Sequence, residues 1–147
     1  QTGAMPVVAA YAQRMEHPDL TVRLTAAQAW CAWEDAVLSL EPNVSPSAYG
    51  SLRPDDILAF VRICTHYVRN GAWLEEGSLI RDAGRLAGIP GVLIHGRLDM
   101  SCPIDTAWAL SRAWPSAELM GLNDSGHLRS DSKRAALLGA LDRFAQR

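Results

Sequence analysis

IPGVLIHGRLDMSCP, residues 89–103, is the stretch that decides the fold. Pro90 and Gly91 open it, a short apolar run from Val92 to Ile94 follows, and Gly96 closes the run. A continuous apolar segment of that length between proline and glycine predicts a parallel strand buried on both faces. RLDMSCP then reads as a loop, which puts Asp99 just past the strand's carboxyl end. Beyond it, a helix is predicted from about Ile104 to Arg112, then a second strand, AELMGL, at 117–122. The NDSGH loop follows and carries His127. A last amphipathic helix runs from about Ser132 to Gln146, with Ala136, Leu137, Leu141 and Phe144 on its apolar side. Strand, helix, strand, helix is the closing segment of an open parallel sheet. Ligands of such sheets bind beyond the carboxyl ends of the strands, where Asp99 and His127 both fall.

The other side of the stretch is helical. PVVAAYAQRM leads to a break at His17-Pro18-Asp19. LTVRLTAAQAWCAWEDAVLSL then spaces Val22, Ala26, Ala29 or Trp30, Trp33 and Val37 as one buried face. Glu41-Pro42 ends that helix, because proline lacks a donor and restricts the residue before it. After a loop, NVSPSAYGSLR, comes PDDILAFVRICTHYVRNG, with Pro54 in the first turn and Gly71 as the stop. A short helix covers Gly77 to Leu86, and no strand is expected before residue 89. The predicted class is α/β: a helical domain at 6–88 and a βαβα segment at 89–147. The opening QTGAM is given no structural weight.

Composition narrows the function. At 147 residues the chain fits one compact domain, able to bury roughly 70% of its unfolded surface. The net charge is −2 with both signs interspersed, so neither nucleic acid nor an anionic membrane is an expected partner. Chemistry on a small molecule or a peptide is expected instead. No apolar run nears the roughly 20 residues of a membrane helix, and no secretory signal is apparent, so a cytoplasmic location is expected. Three cysteines, Cys31, Cys64 and Cys102, form no CxxC pair and are odd in number, which predicts free thiols. The spacing of Asp99, Asp105 and His127 fits no common zinc or calcium motif, and no metal or other cofactor is expected.

An imidazole acts as a general base toward a hydroxyl only when held in one tautomer, and a carboxylate on its other nitrogen does that. Asp99 precedes His127, the order in which hydrolases of the serine, aspartate, histidine type present their triad. Taken singly, each has a plainer reading, a turn or cap aspartate and a solvated loop histidine. Paired after successive strands, they favour catalysis. His95 ends a strand and is expected to bond to backbone. His66 is expected to pack, and the tryptophans to serve core packing.

The stretch IPGVLIHGRLDMSCPIDTAWALSRAWPSAELMGLNDSGH resembles the carboxyl-terminal part of the proline iminopeptidases, α/β-hydrolase serine peptidases that release N-terminal proline. VVAAYAQRM, VRLTAAQAWCAWEDAVLSL and AFVRICTHYVRNGAWLE resemble that family's helical cap. The resemblance implies a partial α/β-hydrolase fold, with the cap followed by the last βαβα of the sheet. It gives Asp99 and His127 the acid and base positions of the triad. Glu34 matches a cap glutamate that holds the substrate's free amino group, and a carboxylate in a partly desolvated pocket suits that task. Tyr67 lies on a cap helix expected to face the pocket, as a candidate substrate-binding residue. Cys102, three residues after Asp99, is expected near the mouth of the site.

Two departures bear on function. Cys64 stands where the family has a second amine-binding glutamate, which weakens the expected hold on an ammonium group. No G-x-S-x-G pentapeptide, the strand-to-helix turn that presents the family's nucleophile, occurs in the 147 residues. The chain therefore reads as a carboxyl-terminal fragment of a proline-releasing aminopeptidase, inert by itself. Its expected partners are an N-terminal-proline peptide, in the intact enzyme, and either a second copy or an amino-terminal fragment that covers the open sheet edge. Two alternatives stand beside this: a non-catalytic or split-enzyme subunit, and a fragment of an esterase, amidase or epoxide hydrolase sharing the fold.

Overall fold

The computed structural model describes residues 4–39, 41 and 47–146. The chain divides into two compact units, residues 1–36 with 45–76, and residues 37–44 with 77–147.

The first unit holds three helices: α1 (Ala4–Met15), α2 (Leu20–Leu38), whose last two residues pass into the second unit, and α3 (Pro54–Arg69). Proline at 18 separates α1 from α2, and the Asp19 carboxylate accepts the Thr21 N–H at 2.8 Å to start the second helix. The core unites Met15, Ala26, Ala27, Cys31, Ile57 and Val61, with Tyr11, Trp30, Tyr49, Leu58 and Phe60 packed against them. The buried stripe of α2 is thus rotated from the predicted one. Ala27 and Cys31 are fully buried while Trp33 is 59% exposed. Small side chains let helices approach closely, which periodicity weighted by apolar bulk does not register. Asp35 accepts the N–H groups of Tyr49 and Gly50 at 2.8 and 2.9 Å, pinning the turn that brings Tyr49 into a stack on Phe60.

After α3 the backbone turns sharply through Gly71, Ala72 and Trp73, all at positive φ of 51–56°. Ala72 and Trp73 carry a Cβ there, a strained arrangement. The Trp73 ring packs on His66 and Tyr67, with both centroid distances 5.2 Å.

The second unit continues with α4 (Ser78–Asp82), a 3₁₀ turn at Ala83–Leu86, β1 (Gly91–Gly96), α5 (Ile104–Ala113), β2 (Ala117–Leu122) and α6 (Asp131–Ala145). The two strands pair in parallel from Gly91 opposite Ala117 to Gly96 opposite Leu122. At the start of the sheet, Trp114 Nε1 donates to the carbonyls of Leu86 and Ile89, at 3.1 and 2.9 Å. Its ring lies over Gly91, where a Cβ would collide with it. Glycine at the first position of the strand thus makes room for a tryptophan.

Helices α5 and α6 each pack on both strands. The burial predicted for these elements is not reached. Residues 91–95 are half-buried, and on α6 Leu137 and Leu141 are 51% and 54% exposed while Ala140 is buried. Two strands about 4.8 Å apart make a strip no wider than one helix, too narrow to cover a whole apolar face. Among the described residues no helix is long and apolar enough to cross a membrane.

Candidate functional site

The two loops at the carboxyl ends of the strands meet. Arg97 N–H continues the ladder to the Leu122 carbonyl at 2.8 Å, and Leu98 N–H reaches the Ser125 carbonyl at 3.0 Å. This approach depends on Gly96, because a Cβ there would strike the carbonyl oxygens of Ser125 and Gly126. No side chain fits between the two backbones.

Within this junction Asp99 is 7% exposed. Its Oδ1 accepts the Cys102 N–H at 2.7 Å, which closes the RLDMSC loop into a turn, and its Oδ2 accepts from His127 Nδ1 at 3.1 Å. A carboxylate only accepts, so Nδ1 carries the proton and the neutral ring's lone pair sits on Nε2. Among the described residues Nε2 has no hydrogen-bond partner, and the His127 side chain is 36% exposed. The arrangement is an oriented imidazole with its basic nitrogen open to a reactant.

The His127 loop is fixed from both sides. Glu41, only 7% exposed, accepts the backbone N–H of His127 at 2.5 Å and of Leu128 at 3.3 Å. Lys133 Nζ donates to the carbonyls of Gly126 and His127. Gly126 leaves room for this clasp, since a Cβ would overlap the Glu41 side chain and push it aside. Ser130 caps α6 by accepting the Lys133 N–H at 3.0 Å, and its hydroxyl lies 2.6 Å from that of buried Ser125. Asp124 accepts from the hydroxyls of Ser132 and Ser125, which hold its carboxyl below the usual aspartate range, Ser132 having the larger effect.

Glu41 was not among the candidates read from sequence. Its only local signal is a carboxylate after a helix end, which ordinarily faces solvent. Removing it leaves two consecutive backbone N–H groups without their charged acceptor. Glu41→Ala is expected to lower the unfolding free energy by about 2 kcal/mol in urea titrations. A change under about 0.5 kcal/mol would mean the clasp contributes nothing measurable.

The remaining sequence candidates divide. Cys102 is exposed and sits in the acid's own turn through its N–H. His95, expected to bond to backbone, has Nε2 2.8 Å from the Cys102 carbonyl oxygen. Glu34, Cys64 and Tyr67 lie in the first unit. Glu34 accepts from Trp30 Nε1 at 3.0 Å. The Cys64 thiol is pushed up chiefly by burial and then by the Glu34 charge, so the two are electrostatic neighbours. Burial, followed by the charges of Asp35, Glu34 and Cys64, likewise raises Cys31. Tyr67 is 53% exposed, in the aromatic group with His66 and Trp73. Among the described residues no group of three or more His, Cys, Asp and Glu is placed to hold a metal.

No protein-family model matches the chain. Individual proteins do. It is 41% identical over 141 residues to the proline iminopeptidase of Xanthomonas citri, which covers 95% of this chain and 45% of that protein. It is 39% identical over 142 residues to the probable proline iminopeptidase of Streptomyces coelicolor, covering 94% and 43%. Against the proline iminopeptidase of Neisseria gonorrhoeae it is 37% identical over 139 residues, covering 92% and 43%. Over nearly its whole length the chain is a relative of these enzymes, and it spans less than half of theirs.

Proposed function

We propose, for a chain related throughout to proline iminopeptidases, that Asp99 and His127 are the acid and base of a serine aminopeptidase acting on N-terminal proline. The observation that carries this reading is the His127 ring, with Nδ1 bonded to a buried carboxylate and Nε2 open. The nucleophilic serine comes from a polypeptide segment outside these 147 residues. In the reaction, that serine's Oγ attacks the N-terminal proline's own carbonyl carbon while its proton passes to His127 Nε2. The imidazolium, stabilised by Asp99, then protonates the departing peptide amine. Water enters next and attacks the prolyl ester as it gives a proton to Nε2, and the imidazolium then returns that proton to the serine Oγ as free proline leaves. Glu34 anchors the substrate's amino group by a charge-assisted hydrogen bond.

The segment that brings the serine also covers the open edges of the two-stranded sheet and the exposed leucines of α6. His127 forms part of an open groove of about 1140 Å³ whose walls include Leu128, Arg134, Leu137 and Leu138. Most of its walls are polar or charged, and the exposed Leu137 and Leu138 among them are the part that more of the same enzyme would cover. A second reading, hydrolysis of simple esters or amides by the same pair, is favoured by Cys64, which offers no charge for an amine.

The test is an assay with proline arylamide and with a simple aryl ester. The 147-residue chain alone is expected to turn over neither. Joined in one polypeptide to the amino-terminal segment of a proline iminopeptidase bearing its G-x-S-x-G turn, it is expected to cleave the arylamide. Ester cleavage without arylamide cleavage selects the second reading. A fused protein that folds cooperatively and cleaves neither, or turnover by the chain alone, defeats the proposal.

A further inference from the structure

The acid's turn is held by a residue that the reaction scheme does not use. His95, at the fifth position of β1, points its Nε2 at the Cys102 carbonyl oxygen from 2.8 Å. A carbonyl only accepts, so the neutral His95 ring carries its proton on Nε2. The same nitrogen lies 3.6 Å from Asp99 Oδ2, too far for a hydrogen bond yet close enough for its N–H dipole to favour the carboxylate's charge. Asp99 meanwhile holds the Cys102 N–H through Oδ1. Residue Cys102 is thus gripped at both ends of its backbone, by Asp99 on the nitrogen and by His95 on the oxygen.

The sheet supplies the rigidity. His95 is in register with Gly121, inside the paired part of β1, and its side chain is 20% exposed against 5% for that of Asp99. A carboxylate carried on a free loop would sample many rotamers. Here one oxygen is committed to Cys102, and Cys102 is tied to the strand, which leaves the other oxygen facing His127.

We propose that His95 is the positioning residue for Asp99, acting through the Cys102 carbonyl to set the direction in which the carboxylate meets His127 Nδ1. The proposal rests on the reading of Asp99 and His127 as an acid–base pair and adds the strand anchor on which that pair depends. It requires a neutral Nε2–H tautomer at 95, so His95 does no proton transfer itself. A side chain that donates one hydrogen bond from a similar distance is able to replace it. Gln does so, and Phe fills the space without donating.

The test is nitrogen-15 NMR of the histidine rings in the 147-residue chain near pH 8. In the wild-type protein His95 is expected as the Nε2–H tautomer and His127 as the Nδ1–H tautomer, with a slowly exchanging Nδ1 proton. His95→Phe is expected to lose that slow proton and shift His127 toward Nε2–H, and His95→Gln to retain both wild-type features. The inference is overturned if His95→Phe leaves the His127 tautomer and exchange unchanged, or if His95→Gln behaves like His95→Phe. Should His95→Phe fail to fold, the wild-type spectrum and His95→Gln still decide, since an Nδ1–H tautomer at His95 excludes the bond to Cys102. Loss of the Nδ1–H form of His127 in the wild type is a different result, and it defeats the acid–base reading itself.

Discussion

Replacing His127 with alanine, in a polypeptide uniting this chain with a serine-bearing segment, is expected to lower kcat/KM toward proline arylamides by about 10⁴-fold or more. The magnitude follows from what the imidazole does. In the proposed mechanism it takes the serine proton as the nucleophile attacks and passes it to the leaving amine, so its loss would slow both of these transfers. Other binding interactions remain, so KM should change far less than kcat. The backbone clasp is independent of the ring, because Glu41 accepts the N–H of residue 127 whatever its side chain. The variant is therefore expected to keep the wild-type urea midpoint. A loss under tenfold would show that the imidazole is a bystander.

The second large effect is expected at the acid. Asp99→Asn should lower kcat by about 10⁴-fold with little change in KM. The direction comes from the turn. Oδ1 of Asp99 receives the Cys102 N–H, so an asparagine keeps its carbonyl oxygen in that position and presents its NH₂ group to His127. An amide donor facing Nδ1 forces the ring proton onto Nε2, where the lone pair is needed. The activity should be lost through the wrong tautomer rather than through a lost fold. A stopped assay of kcat with a parallel thermal melt checks this, and an unchanged kcat would remove Asp99 from the mechanism.

Both of these residues were visible in the sequence for a reason that local physics explains. Pro90, Gly91 and Gly96 punctuate an apolar run, AELMGL is a second such run, and the polar loops after them carry Asp99 and His127 to the same end of a parallel pair. Their 3.1 Å contact then follows from strand direction and adjacency. Glu41 could not be found in that way, since its bond to His127 spans 86 residues of chain. The positive φ of Ala72 and Trp73 was equally hidden, because neither residue type favours that region. On α6 the apolar spacing of Leu137 and Leu141 was readable, yet periodicity reports only that a face exists and not what lies over it. Trp33 on α2 shows the same limit, a bulky apolar side chain left outside while Ala27 and Cys31 go in.

The contact that Gly96 permits between the two loops sets a boundary on how this protein can be altered. Even one methyl group at that position acts as a wedge between the segments bearing Asp99 and His127. Random libraries meant to broaden substrate range should leave codon 96 fixed, since diversity there can only pry the acid from its imidazole.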